Sequence, residues 1–443
     1  MPLRRSFFTS PGRTLLFSVL MTIVVGTLLL ATPWAQQSPH RLMDLIFTAT
    51  SATCVTGLLT IPLQEFTLFG QSIILLLMQI GGLGLITIAV FFMSLFIDIG
   101  LNARHITGQI LEIDSWRRSK KTLFFIIMFT LFIELLSTCV IYYSLSQEQY
   151  PHLFFISLFH AVSSFCGAGL SLFPQPFLCF SSHASLLLIT IVLMLIGEVG
   201  FITWQELFTY IQSLNNKKYF KLSLHTTLVL LTTTVIIVVS SFFLALIEYH
   251  IFSNNSYSMA IVNSIFNALS YRSTGFTTLN ILTVNHATIL LIMMLSFIGS
   301  SPGSTGSGIK TTTFAILIAT IKAVILGRHT VDIKGRKIPE DQILKVISIF
   351  TLGITCIALS SLCLFLTENT GTFVEIIFEA SSAFTNLGLS LGITPHLSQI
   401  GKIILIISMI IGRIGSLTLI LALIKRQDRV MQFNYPEERV MIG

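Results

Sequence analysis

The sequence predicts an all-α integral membrane protein of four tandem repeats. Each repeat reads as a membrane-crossing helix, a re-entrant half-helix, a short loop and a second crossing helix. Three observations carry that prediction. Of the 443 residues, 53% are hydrophobic and only 10% charged, with a mean hydropathy of +0.85, where a soluble domain has about 25% charged. A short glycine loop recurs four times at near-constant spacing. Basic residues gather in segments that alternate with whole repeats.

The loop appears first as Thr53-Cys54-Val55-Thr56-Gly57 and then as Ser164-Phe165-Cys166-Gly167-Ala168-Gly169. Its third and fourth copies are Tyr271-Arg272-Ser273-Thr274-Gly275 and Ala383-Phe384-Thr385-Asn386-Leu387-Gly388. Their final glycines are 112, 106 and 113 residues apart, a period that marks tandem units. In three copies a phenylalanine (Phe47, Phe159, Phe378) lies ten residues before the glycine; in the third, Phe266 lies nine before it. The units occupy residues 1–98, 99–211, 212–327 and 328–443.

Within each unit the elements follow from length. Apolar runs at 14–32, 122–146, 223–250 and 343–367 reach the roughly 20 residues that cross a bilayer. Stretches at 44–53, 151–164, 257–270 and 371–383 are too short to cross and suit re-entrant half-helices. Second apolar runs at 68–97, 184–210, 286–326 and 397–424 close the units. The total is eight crossing helices and four half-helices around a pseudo-four-fold pore.

Charge orients the chain. Of 26 Lys and Arg, 21 lie in five segments at the termini and between units. Only Arg41 and Lys402 fall in the opposite connections. The positive-inside rule places both termini in the cytoplasm and the glycine loops on the outer half. The net charge of +7 therefore serves topology; a nucleic-acid partner would need a solvated basic face. Arg4-Arg5 reads as a membrane flank. Cys54, Cys139, Cys166, Cys179, Cys356 and Cys363 lack paired spacing and read as membrane-buried thiols.

The second helices share Ile80-Gly81-Gly82-Leu83-Gly84, Ile196-Gly197-Glu198-Val199-Gly200 and Ile411-Gly412-Arg413-Ile414-Gly415. Small residues let helices approach closely, which accounts for the glycines of the first two units. The third starts alike at Ile298-Gly299, then diverges into a Gly/Ser-rich segment ending at Lys310. That segment cannot hold a helix together. Gly303 and Gly308 have phosphate-loop spacing, but Ile309 separates Gly308 from Lys310, and the segment does not follow a strand.

Irregular backbone at membrane depth is tolerated only where protein buries it or water lines it. Four such loops converging on an axis can present carbonyl rings that replace the hydration shell of K+. Glycine supplies backbone angles that a Cβ forbids.

On these motifs the chain resembles the Ktr/Trk/HKT superfamily of potassium transporters along essentially its whole length. With eight spans and no extra N-terminal pair, it is most similar to the Ktr-type membrane subunit. The resemblance implies a K+ selectivity filter at Cys54, Val55, Thr56 and Gly57; Cys166, Gly167, Ala168 and Gly169; Arg272, Ser273, Thr274 and Gly275; and Thr385, Asn386, Leu387 and Gly388. It implies a gate at residues 299–310, with Gly299, Gly303, Gly306, Gly308 and Lys310, and with Arg413 from the fourth unit. Sodium-selective plant relatives carry serine at the first filter glycine, so Gly57 implies potassium. A homodimer in a bacterial inner membrane, seated on a cytosolic ring of nucleotide-binding (RCK/KTN-type) subunits, is also implied. So is stimulation by Na+, with K+ as the transported ion and no covalent cofactor.

Arg413 is expected below the filter as an electrostatic barrier, since a cation facing lipid costs about 2.5–3.5 kcal/mol or more. Its expected partner is Glu198 or a gate carbonyl; Glu198 also reads as a polar residue near the cytosolic exit. Lys310 is expected to tie the gate to backbone carbonyls, and Arg272 to brace its loop from behind. His160, His183 and His286 read as solvated or capping residues. Asp44 and Glu375 either draw cations to the mouth or cap half-helices. The tail 432–443 could dock on a second copy or on the regulator. Three rivals remain: a sodium-selective or unselective transporter of the same fold, a carrier with a midplane site, and a membrane enzyme, for which no acid–base or nucleophile cluster is in view.

Overall fold

The computed structural model describes residues 11–84, 116–148, 150–173, 177–215, 220–252, 256–369 and 371–423. Several expectations fall outside these residues: the flank Arg4-Arg5, Lys217 and Lys218, the basic group from Lys425 to Arg439, the tail 432–443, and the 85–115 stretch with the first unit boundary.

The first group of elements is α1 (Pro11–Leu30), the half-helix α2 (Leu42–Cys54) and α3 (Leu68–Leu83). The second is α4 (Trp116–Ser144), α5 (Leu153–Cys166), α6 (Ala184–Val199) and α7 (Phe201–Asn215). The third is α8 (Leu224–Ile247), the one-turn α9 (Tyr249–Phe252), α10 (Tyr257–Ser273), α11 (His286–Phe297) and α12 (Thr311–Ile325). A hairpin of β1 (Asp332–Ile333) and β2 (Arg336–Lys337) leads to α13 (Glu340–Thr367), α14 (Phe373–Thr385), α15 (Gln399–Ile414) and α16 (Ser416–Leu423). This hairpin is a small departure from the all-α expectation. Lys334 and Gly335 both take positive φ (48° and 74°) at its turn, as a two-residue hairpin loop requires.

The packing follows one rule. Within each group the half-helix lies between its two long partners, and each second helix also packs on the next group's half-helix. Thus α3 meets α5, α6 meets α10, α11 meets α14, and α15 returns to α2. The four half-helices form a closed ring.

The ring reverses the soluble pattern of polar outside and apolar inside. Thr48, Ser51, Ser163, Asn267, Ser270 and Ser382 are buried on the half-helices, while Phe132, Leu135, Val238, Phe242 and Leu366 are exposed on the long ones. An apolar exterior of this extent fits hydrocarbon rather than water.

Among the described residues, four helical spans, Gly12–Leu30, Thr122–Ser144, Leu224–Ile247 and Glu340–Thr367, are long and apolar enough to cross a membrane, or five counting one bent pair. In the first, second and fourth units the second helix expected to be continuous is interrupted. Helix α3 stops at Gly84, α6 and α7 meet at 97° across Gly200, and α15 gives way to α16 at Gly415. The cause is backbone geometry: Gly84, Gly200 and Gly415 take φ of 83°, 92° and 90°, outside the right-handed helical region. The second glycine of each Ile-Gly-x-x-Gly motif therefore breaks a helix rather than packing one.

Candidate functional site

The site begins where the half-helices end. In three of them a left-handed residue follows the last turn: Val55 (φ 57°), Gly167 (φ 76°) and Asn386 (φ 55°). Each reverses the chain and lets the next N–H return to the helix, as from Thr56 to Ser51 O (2.8 Å), Ala168 to Ser163 O (2.8 Å) and Leu387 to Ser382 O (2.9 Å). This is a helix C-terminal motif. The third half-helix has no such residue: Thr274 stays right-handed and Gly275 N itself bonds Ser270 O at 3.0 Å. One residue fewer is needed, which explains why Phe266 lies nine rather than ten residues before its glycine.

The four glycines then interlock. Gly57, Gly169, Gly275 and Gly388 have φ of 99°, 65°, 80° and 86°. A Cβ on Gly57 would stand 2.5 Å from Ala168 O, and Cβ atoms on Gly169, Gly275 and Gly388 would collide with Thr274 O, Leu387 O and Thr56 O. Each glycine lies against the carbonyl that precedes the next unit's glycine, and the fourth closes on the first. The Thr56 hydroxyl and the Asn386 amide meet at 2.6 Å across that last seam.

Serines brace the loops from inside the half-helices, a feature the sequence reading missed. Gly57 N donates to Ser51 Oγ (3.1 Å), Leu170 N to Ser163 Oγ (3.0 Å) and Gly388 N to Ser382 Oγ (3.1 Å). Ser270 and Ser382 donate to Phe276 O (2.5 Å) and Leu389 O (2.7 Å). The signal was available: serine stands six residues before three of the glycines and five before the third. A second quartet follows each phenylalanine: Thr48, His160, Asn267 and Glu379, all buried. Asn267 receives Thr278 N (3.1 Å) and Glu379 receives Thr394 Oγ1 (2.9 Å), so both hold the chain beyond the loop. His160 is not solvated or capping as expected: it bonds Thr190 Oγ1 at 3.0 Å among Phe173, Phe177 and Phe276. His183 faces Glu148 at 3.7 Å, and His286 opens α11.

Just beneath, the first glycine of each motif lets the second helix pass the half-helix end: Cβ atoms on Gly81, Gly197 and Gly412 would strike Thr53 O, Phe165 O and Phe384 O. The residue after that glycine reaches the next unit's half-helix. Gly82 lies against Cys166. Glu198 forms an ion pair with Arg272 (2.8 Å) and accepts from Ser273 Oγ (2.9 Å). The Glu198 side chain thus pairs with Arg272, not with Arg413, because the motif points to the adjacent unit and not across the ring. Arg272, wholly buried, also donates to Gly299 O at 3.0 Å, behind its loop.

Residues 299–310 lie across the ring's inner face. Thr305 N bonds Gly197 O (3.2 Å), Thr305 Oγ1 bonds Phe165 O (2.9 Å), Ser301 N bonds Glu198 O (3.1 Å) and Phe201 N bonds Gly303 O (2.9 Å). Arg413 donates to Thr305 O (2.8 Å), Ser307 Oγ (3.0 Å) and Gly81 O, so its partners are carbonyls and a hydroxyl. Lys310 Nζ donates to Gly306 O at 2.7 Å. Gly299 and Gly308 sit too close for side chains, and Gly306 lies 2.9 Å, at a Cβ position, from Ser273 Oγ. Gly303, Gly306, Lys310, Arg413, Thr53 and Gly81 border a cavity of about 300 Å³.

At the other end, Asp44 bonds Lys402 at 2.6 Å, linking the first half-helix to the fourth unit. Glu375 caps its half-helix: its carboxylate accepts from Thr372 N (2.7 Å) in a reciprocal capping box.

A helical membrane protein with four interlocked backbone loops, closed on one side by an arginine-held segment, is organised for transport. Comparison with known proteins agrees. The family model for TrkH, cation transport protein, matches residues 14–433. The Ktr system potassium uptake protein B of Bacillus subtilis is 33% identical over 98% of this chain and 97% of its own. The potassium/sodium uptake protein NtpJ of Enterococcus hirae is 30% identical over the same shares. The potassium transporter TrkH of Vibrio parahaemolyticus shares the fold, with a TM-score of 0.68 at 21% identity over 92% of this chain and 84% of its own. The chain belongs to the TrkH family of cation transport proteins, and it is a transporter rather than an enzyme.

Proposed function

We propose that this chain takes up potassium through the ring of four loops, with residues 299–310 and Arg413 as its gate. The observation that carries the reading is the closed interlock of Gly57, Gly169, Gly275 and Gly388 with the Ala168, Thr274, Leu387 and Thr56 carbonyls, in that order. Backbone oxygens at that density can replace a potassium hydration shell. The selectivity filter comprises the four segments Cys54–Gly57, Cys166–Gly169, Arg272–Gly275 and Thr385–Gly388. Arg413 adds a positive charge beneath it, and the segment it holds obstructs the inner side. Opening is a local rearrangement of that segment.

The name of the Bacillus relative, Ktr system potassium uptake protein B, supports assembly with other Ktr components. A homodimer on a cytosolic nucleotide-binding ring, Na+ as activator, an inner-membrane location and cytoplasmic termini complete the proposal. A second reading, permeation of sodium as well, is favoured by the potassium/sodium name of the Enterococcus relative.

The test is rubidium and sodium uptake by a potassium-auxotrophic cell expressing the chain with its partner subunits. Wild type restores growth at low potassium without admitting sodium. Gly57→Ser, which puts a side chain at φ 99° against Ala168 O, lowers rubidium uptake and admits sodium. Unchanged uptake by Gly57→Ser means that the loops are not the filter.

A further inference from the structure

The hairpin between α12 and α13 carries charge that the transport reading does not use. The end of helix α12 and the residue after it, Val324, Ile325 and Leu326, form an exposed apolar band, at 73%, 78% and 53% exposure. The chain then turns at Gly327 and becomes basic: Arg328, Lys334, Arg336 and Lys337 are exposed, as is Lys322 one turn back on the helix. Among the described residues none of these five cations forms an ion pair. Lys345 does, with Asp341 at 3.5 Å.

The hairpin is fixed rather than trailing. Val331 and Ile338 bury against Ala323 on α12, with Leu224 and Ile343 packed alongside. Arg328 N bonds Ala323 O at 2.9 Å and Ile338 N bonds Val331 O at 2.9 Å. At its base lies a cavity of about 80 Å³ bordered by Lys322, Leu326, Arg328, Thr330 and Asp332. The Asp332 carboxylate accepts the Thr330 hydroxyl at 3.1 Å and is the one acid on that border.

We propose that this cavity binds the phosphate of an anionic phospholipid, with the acyl chains lying along Val324, Ile325 and Leu326. Charge complementarity and the adjoining apolar band both argue for it. A soluble phosphate would use the cations but not the band, and an acidic protein surface would need no apolar floor. Basic clusters at the cytoplasmic end of a membrane helix attract anionic lipids, and the proposal is independent of which ion crosses. Helix α12 begins at Thr311, directly after Lys310, so the lipid would rest on the helix that leaves the gate.

The experiment titrates the full chain, purified in neutral detergent, with dioctanoyl phosphatidylglycerol, dioctanoyl phosphatidylcholine and inorganic phosphate. Retained lipid is counted by native mass spectrometry. Phosphatidylglycerol is expected to be retained over phosphatidylcholine, with inorganic phosphate competing weakly. Lys322→Gln with Arg328→Gln weakens phosphatidylglycerol about 30-fold, at roughly fivefold per cation. Asp332→Asn removes the opposing carboxylate and strengthens it about fivefold, a gain that misfolding cannot mimic. Equal retention of both lipids overturns the proposal, as does displacement by phosphate at the lipid's own concentration. Unchanged phosphatidylglycerol binding by the variants overturns it too, and would assign the basic hairpin to an acidic protein partner.

Discussion

Replacing Glu198 by glutamine tests the pairing that the structure substitutes for the expected one. Glu198 is 3% exposed and Arg272 wholly buried, so neither charge has water to fall back on. Removing one partner of a buried ion pair costs about 3–5 kcal/mol. Glutamine keeps the volume and can still accept from Ser273, and Arg272 retains its bond to Gly299 O, so the lower end, about 3 kcal/mol, applies. At about 2 °C per kcal/mol for a long chain, the apparent melting temperature in detergent falls by about 6 °C. Arg272→Gln falls similarly, but the double variant falls no further than either single one, because no uncompensated charge stays buried. A double-mutant cycle gives a coupling of about 3 kcal/mol between Glu198 and Arg272, and near-additivity, within about 0.5 kcal/mol, between Glu198 and Arg413. Rubidium uptake by Glu198→Gln falls with the loss of the third loop's brace. If Glu198→Gln leaves melting and uptake unchanged, or if the larger coupling is to Arg413, the pairing is wrong.

Two further outcomes follow from the same geometry. Ser382→Ala removes both the acceptor of Gly388 N and the donor to Leu389 O and costs about 1–3 kcal/mol, so it lowers the melting temperature more than Ser51→Ala, which loses one bond; equal effects would contradict the bracing role. Gly200→Ala places a Cβ 2.6 Å from Pro302 O at φ 92°, costs about 1–3 kcal/mol of backbone strain, and pushes residues 299–310 away from α6; if that segment is the gate, uptake measured at matched expression rises, and unchanged uptake would contradict the proposed gating role of residues 299–310.

Most of the ring was legible because it repeats. Glycine spacing located all four loops, and length separated half-helices from long ones, since both signals survive without knowledge of neighbours. The breaks at Gly84, Gly200 and Gly415 were not legible, because an apolar run reads as one helix until a residue's φ is known. The serine braces were visible in register but lay in segments read as apolar half-helices, where a hydroxyl passes for a helix-compatible filler.

The sequence left Arg413 with either Glu198 or a gate carbonyl as partner, and the structure's choice of the carbonyl of Thr305 has a geometric origin. The structure obeys a neighbour rule, in which α6 packs on α10 as α3 packs on α5. The residue after the first motif glycine therefore meets the end of the adjacent half-helix: Gly82 meets Cys166, and Glu198 meets Ser273 and Arg272. In the fourth unit the same position holds Arg413, whose neighbour across the closing seam is the first half-helix, and that half-helix offers no carboxylate beside it. Its guanidinium turns to Thr305 O, Ser307 Oγ and Gly81 O. One acidic and one basic residue at equivalent positions thus do different work. Glu198 pairs with the arginine of its neighbouring loop, while Arg413 directs its hydrogen bonds to the segment that crosses the ring and to Gly81 O.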